Sequence, residues 1–135
     1  MKGAGTCLIN ATHTAQGGYY DLTQQLSITV AKATQSVSAT FSPTTLTYNP
    51  TTPASFTVTG SGGGTGASGS FVYSIDPTSA SICSISGSVV TALGAGACIV
   101  NTYKTADANF LDSSVFARTM TIAKANQGTV TVTAN

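Results

Sequence analysis

Few groups in this chain are equipped for chemistry: three cysteines, one histidine and four aspartates, with no glutamate. Acid–base catalysis needs two carboxyl groups whose environments push their pKa values apart, and the four available here, Asp21, Asp76, Asp107 and Asp112, are scattered. Asp107, Asn109 and Asp112 fall within six residues and could present three oxygens to calcium, although that ion takes about six to eight oxygen ligands. The alternative for this cluster is an Asx-stabilised loop. Tyr19 and Tyr20 are adjacent, so in a strand one ring faces outward, where it can stack on a sugar. The tract Gly62-Gly63-Gly64-Thr65-Gly66 lacks the following helix and lysine that a phosphate-binding loop requires, and reads instead as a hairpin loop.

A long internal repeat decides how these residues are to be weighed. Gly3-Ala4-Gly5-Thr6-Cys7-Leu8-Ile9 returns 91 residues later as Gly94-Ala95-Gly96-Ala97-Cys98-Ile99-Val100. Ala31-Lys32-Ala33-Thr34-Gln35 returns 92 residues later as Ala123-Lys124-Ala125-Asn126-Gln127. Self-similarity at a fixed long period marks a tandem array. The expected division is therefore the C-terminal part of a preceding repeat over residues 1–30, one complete repeat over 31–122 and the first strand of a following repeat over 123–135.

The alignment tests each candidate site against its own copy. His13 becomes Lys104, and Asp107, Asn109 and Asp112 correspond to Gln16, Gly18 and Asp21, so two of the three oxygen donors vanish. A required base or metal ligand should not disappear between copies, and no catalytic residue, metal site or cofactor is expected. Cys7 is the counterpart of Cys98, while Cys83 has no counterpart within the chain. The pairing expected is Cys83 with Cys98, leaving Cys7 an unpaired thiol; two buried free thiols are the alternative. A disulfide implies an oxidising compartment and would stabilise the fold by about 3 kcal/mol.

Composition narrows the partners. Hydrophobic residues make up 41% of the 135 positions, enough to fill a core. Charged residues make up only 7%, and the net charge is +1. Binding a polyanion displaces counterions with many Lys and Arg; five scattered basic residues do not form such a patch. No run reaches the roughly 20 apolar residues of a membrane-spanning helix.

The complete repeat is built of short alternating runs. Val37, Ala39 and Phe41 alternate with Ser and Thr, as do Phe56 and Val58, and Phe71, Tyr73 and Ile75 alternate with Ser70, Val72 and Ser74; period two with one apolar face is a half-buried strand. Further strands are expected over residues 46–48, 82–85, 89–93, 97–103 and 115–122, about eight in all. Pro43, Asn49-Pro50, Pro53, Asp76-Pro77 and Ser86-Gly87 supply the breaks. Many short strands without intervening helices predict an all-β fold, an antiparallel immunoglobulin-like sandwich, with a small closed barrel as the alternative. Phe41, Phe56, Phe71, Tyr73, Ile99, Phe110 and Ile122 are its expected core. Thr129 to Thr133 alternates Thr and Val and is expected to be a strand able to add to another sheet.

The run Cys83-Ser-Ile-Ser-Gly-Ser-Val-Val-Thr, with Gly94-Ala-Gly-Ala-Cys98, Ala106-Asp-Ala-Asn-Phe110 and Thr121-Ile-Ala-Lys-Ala-Asn-Gln127, resembles the bacterial Ig-like repeats that occur in tandem in very large secreted and surface proteins. The likeness is clearest from Ser81 to Gln127, and the glycine-rich insert Gly60 to Gly69 departs from it. The resemblance implies an extracellular or cell-surface β-sandwich that serves as a spacer or adhesin module. Its partners would be neighbouring repeats or copies of itself, with a surface glycan or a cell-surface receptor as a further ligand. The alternatives are a subunit of an extracellular filament joined by strand addition and a carbohydrate-binding module that uses Tyr19 and Tyr20.

Overall fold

The computed structural model describes residues 3–128 and 131–133. Its strands are β1 (Gly5–His13), β2 (Leu22–Val30), β3 (Val37–Ser42), β4 (Leu46–Thr47), β5 (Ser55–Gly62), β6 (Phe71–Ile75), β7 (Cys83–Ser86), β8 (Val89–Ala92), β9 (Gly96–Lys104) and β10 (Phe116–Ala123). A 3-10 turn at Pro77–Ser79 is capped by the Asp76 carboxylate, which accepts from Thr78 N. All the strands expected within 31–122 are present.

Alternation builds the two four-stranded sheets. In β3 and β5 every second side chain, Ala39, Phe41, Phe56 and Val58, is buried while the Ser and Thr between them face water. One sheet runs β3-β5-β8-β7 and is antiparallel throughout. The other runs β4-β10-β9-β6, with β4 pairing parallel to β10 and the remaining pairs antiparallel. Their inner faces meet in one apolar core drawn from both sheets, a sandwich-like arrangement. Phe41 and Phe56 pack within it with ring centroids 4.9 Å apart. Cys83 on β7 is bonded to Cys98 on β9 at a Cα separation of 5.9 Å, so the disulfide ties one sheet to the other.

The core differs in part from the expected one. Phe41, Phe56 and Ile122 are buried and Tyr73, half-buried, packs against them, whereas Phe71, Ile99 and Phe110 are half-buried outside this cluster. Strand β9 faces the core with Cys98, Val100 and Thr102, each 0% exposed, and so presents Ile99 to the opposite side. Strand period is two, and the disulfide fixes its phase: once Cys98 points inward, Ile99 cannot. Phe71 stacks on Tyr73 at 6.4 Å and lies under the Lys104 ammonium, 5.4 Å from its ring centroid.

Hairpin β1–β2 forms a separate two-stranded sheet. At the other end, Thr129 and Val130 of the expected terminal strand lie outside the described residues, and Thr131 to Thr133 are not in a strand.

Candidate functional site

The two copies of the repeated sequence fold alike. Each β9–β10 pair has its image in β1–β2: Gly96 faces Ile122 as Gly5 faces Val30, Cys98 faces Met120 as Cys7 faces Ile28, and Val100 faces Arg118 as Ile9 faces Leu26. The match extends into the connecting loops. Asp112 Oδ1 accepts from Ala106 N at 2.6 Å, and Asp21 Oδ1 accepts from Ala15 N at 2.5 Å. These aspartates are equivalent positions doing one local job, closing the loop on its own backbone.

The second repeated motif, Ala31 to Gln35, is where the hairpin joins the sandwich. Lys32 Nζ donates to the carbonyl of Asp107 at 2.6 Å. Ala33 N donates to Asn109 O at 2.8 Å and Ala33 O accepts from Leu111 N at 2.9 Å, forming a parallel bridge between Ala33 and Phe110. Gln35 is buried, and its Nε2 donates toward the carbonyls of Lys104, Thr105 and Leu111 at 3.5, 3.1 and 2.7 Å. Across the gap, Ala4 N donates to Asn109 Oδ1 at 2.9 Å. The segment leaving the hairpin is thus stitched to the loop between β9 and β10 by contacts that end mainly on backbone carbonyls.

Asp107 organises that loop. Its Oδ1 accepts from Asn109 N and Phe110 N, and its Oδ2 from Ser68 N and Oγ. The Asn109 amide and then the Ser68 amide favour the carboxylate form and hold its pKa down to about 2. Of the candidate calcium oxygens, both of Asp107 and the Oδ1 atoms of Asp112 and Asn109 accept from main-chain amides, that of Asn109 from Ala4 N. Among the described residues no group of three or more His, Cys, Asp or Glu gathers to hold a metal ion.

The glycine tract acts as a receptor for an aromatic ring. A Cβ on Gly64 would lie 1.9 Å from Phe110 Cε1, so only glycine admits the ring at this distance. Lys104 is buried beside the same loop, and its Nζ donates to Ala67 O at 3.0 Å. Tyr19, the counterpart of Phe110, is 80% exposed, and Tyr20 is 95% exposed. His13 lies on β1 with its side chain in water, and the Cys7 thiol is free and exposed.

Arg118, Thr44, Thr45, Thr119 and Thr121 line a groove of about 300 Å³ beside Phe41. The Arg118 guanidinium lies over the Phe41 ring at 5.2 Å and donates to Ala39 O at 2.6 Å. This pins the cation as a lid on the core.

Sequence reasoning singled out neither Gln35 nor Lys104 as working residues. The recurrence of Gln35 as Gln127 was the available signal for the first. Lys104 carried no such signal, because its counterpart is His13. Among the described residues no helix is long and apolar enough to cross a membrane. The chain matches no protein-family model, no curated protein and no solved structure.

Proposed function

We propose that this chain is a non-enzymatic structural or adhesive module, a stalk or spacer repeat of a long extracellular bacterial protein with an immunoglobulin-like β-sandwich as its unit. The observation that carries this reading is the duplicated hairpin, similar in sequence and matching in strand register and loop closure, joined to the rest of the chain by a motif that itself recurs at residues 123–127. A repeated unit with a repeated joint is what a tandem array requires. The buried inter-sheet disulfide is compatible with an oxidising exterior.

In this role the work is mechanical. Antiparallel ladders share load, the Cys83–Cys98 bond prevents the sheets from separating, and Thr and Ser keep a nearly neutral surface hydrated. A second reading, a subunit of a filament, draws on the hairpin's two edges, which pair with no other strand among the described residues, since an open edge can accept a strand from another molecule. A third, carbohydrate binding, draws on the exposed rings of Tyr19 and Tyr20.

Light scattering and negative-stain imaging of the purified, non-reduced chain test the choice. A monomer is the expected result. Regular filaments would replace the spacer reading with the filament one. A glycan screen that binds the native chain and fails with Tyr19→Ala/Tyr20→Ala would establish the third reading.

A further inference from the structure

The face of β9–β10 that enters the core has an uncovered twin. Val100 and Met120 are 0% and 3% exposed, while Ile9 and Ile28 at the same positions of β1–β2 are 47% and 41% exposed. Cys98 is bonded to Cys83, while Cys7 is a free thiol. A hairpin with an apolar face and nothing packed on it is not stable alone in water. What covers such a face is visible in the same molecule: the β3-β5-β8-β7 sheet, with a cysteine at the first residue of β7 and a glycine loop that receives Phe110.

We propose that the β1–β2 face is a docking surface for a sheet of the β3-β5-β8-β7 kind belonging to the preceding repeat, and that this sheet supplies the cysteine that bridges Cys7. The inference rests on the tandem-array reading and names the partner that reading requires. A second copy of this chain does not fit, because its own sheet of that kind is already covered by β9–β10 and its Cys83 is already bonded. The docked sheet would bury Ile9 and Ile28 and bring a glycine loop over Tyr19, as Gly64 lies on Phe110; Tyr20, whose counterpart Leu111 is itself exposed, would stay in water.

The bond forms as two S–H bonds break. Two protons and two electrons pass to a disulfide oxidant, oxidised glutathione, whose S–S bond breaks to leave two thiols.

The test keeps the chain intact from Gly3 onward and joins a second copy of residues 31–93 ahead of it. That copy carries the exposed Ser84→Thr as a mass tag. After oxidation with oxidised glutathione, free thiols are alkylated with iodoacetamide and the non-reduced peptides are mapped by mass spectrometry. The expected result is a peptide linking Cys7 to the tagged copy's cysteine, with loss of the alkylated Cys7 signal that the original chain gives. Ile9→Asp in the joined protein is expected to restore that signal, and persistence of the bond in this variant would remove the face from the proposal. A protease-resistant added segment with Cys7 still alkylated overturns the proposal and leaves the array reading standing. Cys7–Cys7 dimers overturn it in favour of a second copy, and digestion of the added segment as an unfolded tail overturns both.

Discussion

Equivalent positions in the two hairpins allow one substitution to be made in two environments. Val100 is 0% exposed at the centre of β9, paired with Arg118 on one side and Ile75 on the other. Val100→Ala removes two methyl groups from a packed core. At about 0.8 kcal/mol each for transfer, with a further contribution from the cavity left behind, the loss is about 2–3 kcal/mol. Ile9 holds the equivalent place on β1, facing Leu26 where Val100 faces Arg118, but is 47% exposed and among the described residues has no sheet packed above it. Ile9→Ala is expected to change stability by no more than about 0.5 kcal/mol, although it deletes more carbon. Urea unfolding followed by far-ultraviolet circular dichroism, in a Cys7→Ser background that prevents dimers, measures both. Equal losses would refute the reasoning, because they would mean that the β1–β2 face is already covered in the isolated chain. A neutral Val100→Ala would refute it from the other side, by removing β9 from the core.

Three further outcomes follow from the geometry. The Thr102 hydroxyl is fully buried without a hydrogen-bond partner, so Thr102→Val, which keeps the shape and removes the polar group, is expected to raise stability by about 1 kcal/mol; a fall of that size in the same urea titration would show that the hydroxyl is satisfied. Cys83→Ala/Cys98→Ala, which opens a 15-residue separation in the chain, is expected to cost about 3 kcal/mol and lower Tm by about 10–20 °C, and calorimetry giving a shift of only a few degrees would contradict it. Asp107, whose pKa falls from 3.8 to about 2 in the folded chain, binds protons less readily folded than unfolded, so its stabilisation is full above the ordinary carboxylate range and is lost as pH falls through about 2; a carboxyl carbon titration by NMR with a midpoint near 3.8 would contradict the contacts assigned to it.

Strand positions were legible because alternation is a local signal. Phe56 and Val58 between Ser and Thr announce both the strand and its buried face, and Pro43, Pro53 and Asp76-Pro77 announce the breaks. Phase was harder where both faces carry apolar groups. In β9, Ile99 and Val100 are neighbours of equal hydrophobicity, and the Cys98 bond to the opposite sheet settles which one turns inward. Alternation points Phe71 toward the core and aromatic size does the same for Phe110; in the folded chain one lies under the Lys104 ammonium and the other lies on Gly64, roles set by tertiary neighbours outside the reach of any short window. The disulfide was legible through the repeat, since Cys7 and Cys98 fall at one position and Cys83 alone remains to be paired. The joint was half legible: the recurrence of Ala-Lys-Ala-x-Gln marked the place, but that its side chains seek backbone carbonyls required the β9–β10 loop to be in view.

That preference for backbone acceptors explains which residues repeat and which drift. Lys32, Ala33 and Gln35 meet the loop through the oxygens of Asp107, Asn109, Lys104, Thr105 and Leu111 and through backbone amides, and a carbonyl is present whatever side chain the loop carries. The loop can then change from Tyr19-Tyr20 to Phe110-Leu111 between copies without altering the joint, while the motif that reaches for it is held nearly constant at 31–35 and 123–127. The same chemistry suits a chain with only 7% charged residues. Exposed ion pairs are screened as salt rises, over a Debye length of about 8 Å at physiological ionic strength. A joint held chiefly by amide donors on carbonyls has little such dependence, so in the proposed array its stiffness would persist across the ionic strengths met outside a cell, with the Lys32 contact to the Asp107 carbonyl as the salt-sensitive part among the described residues.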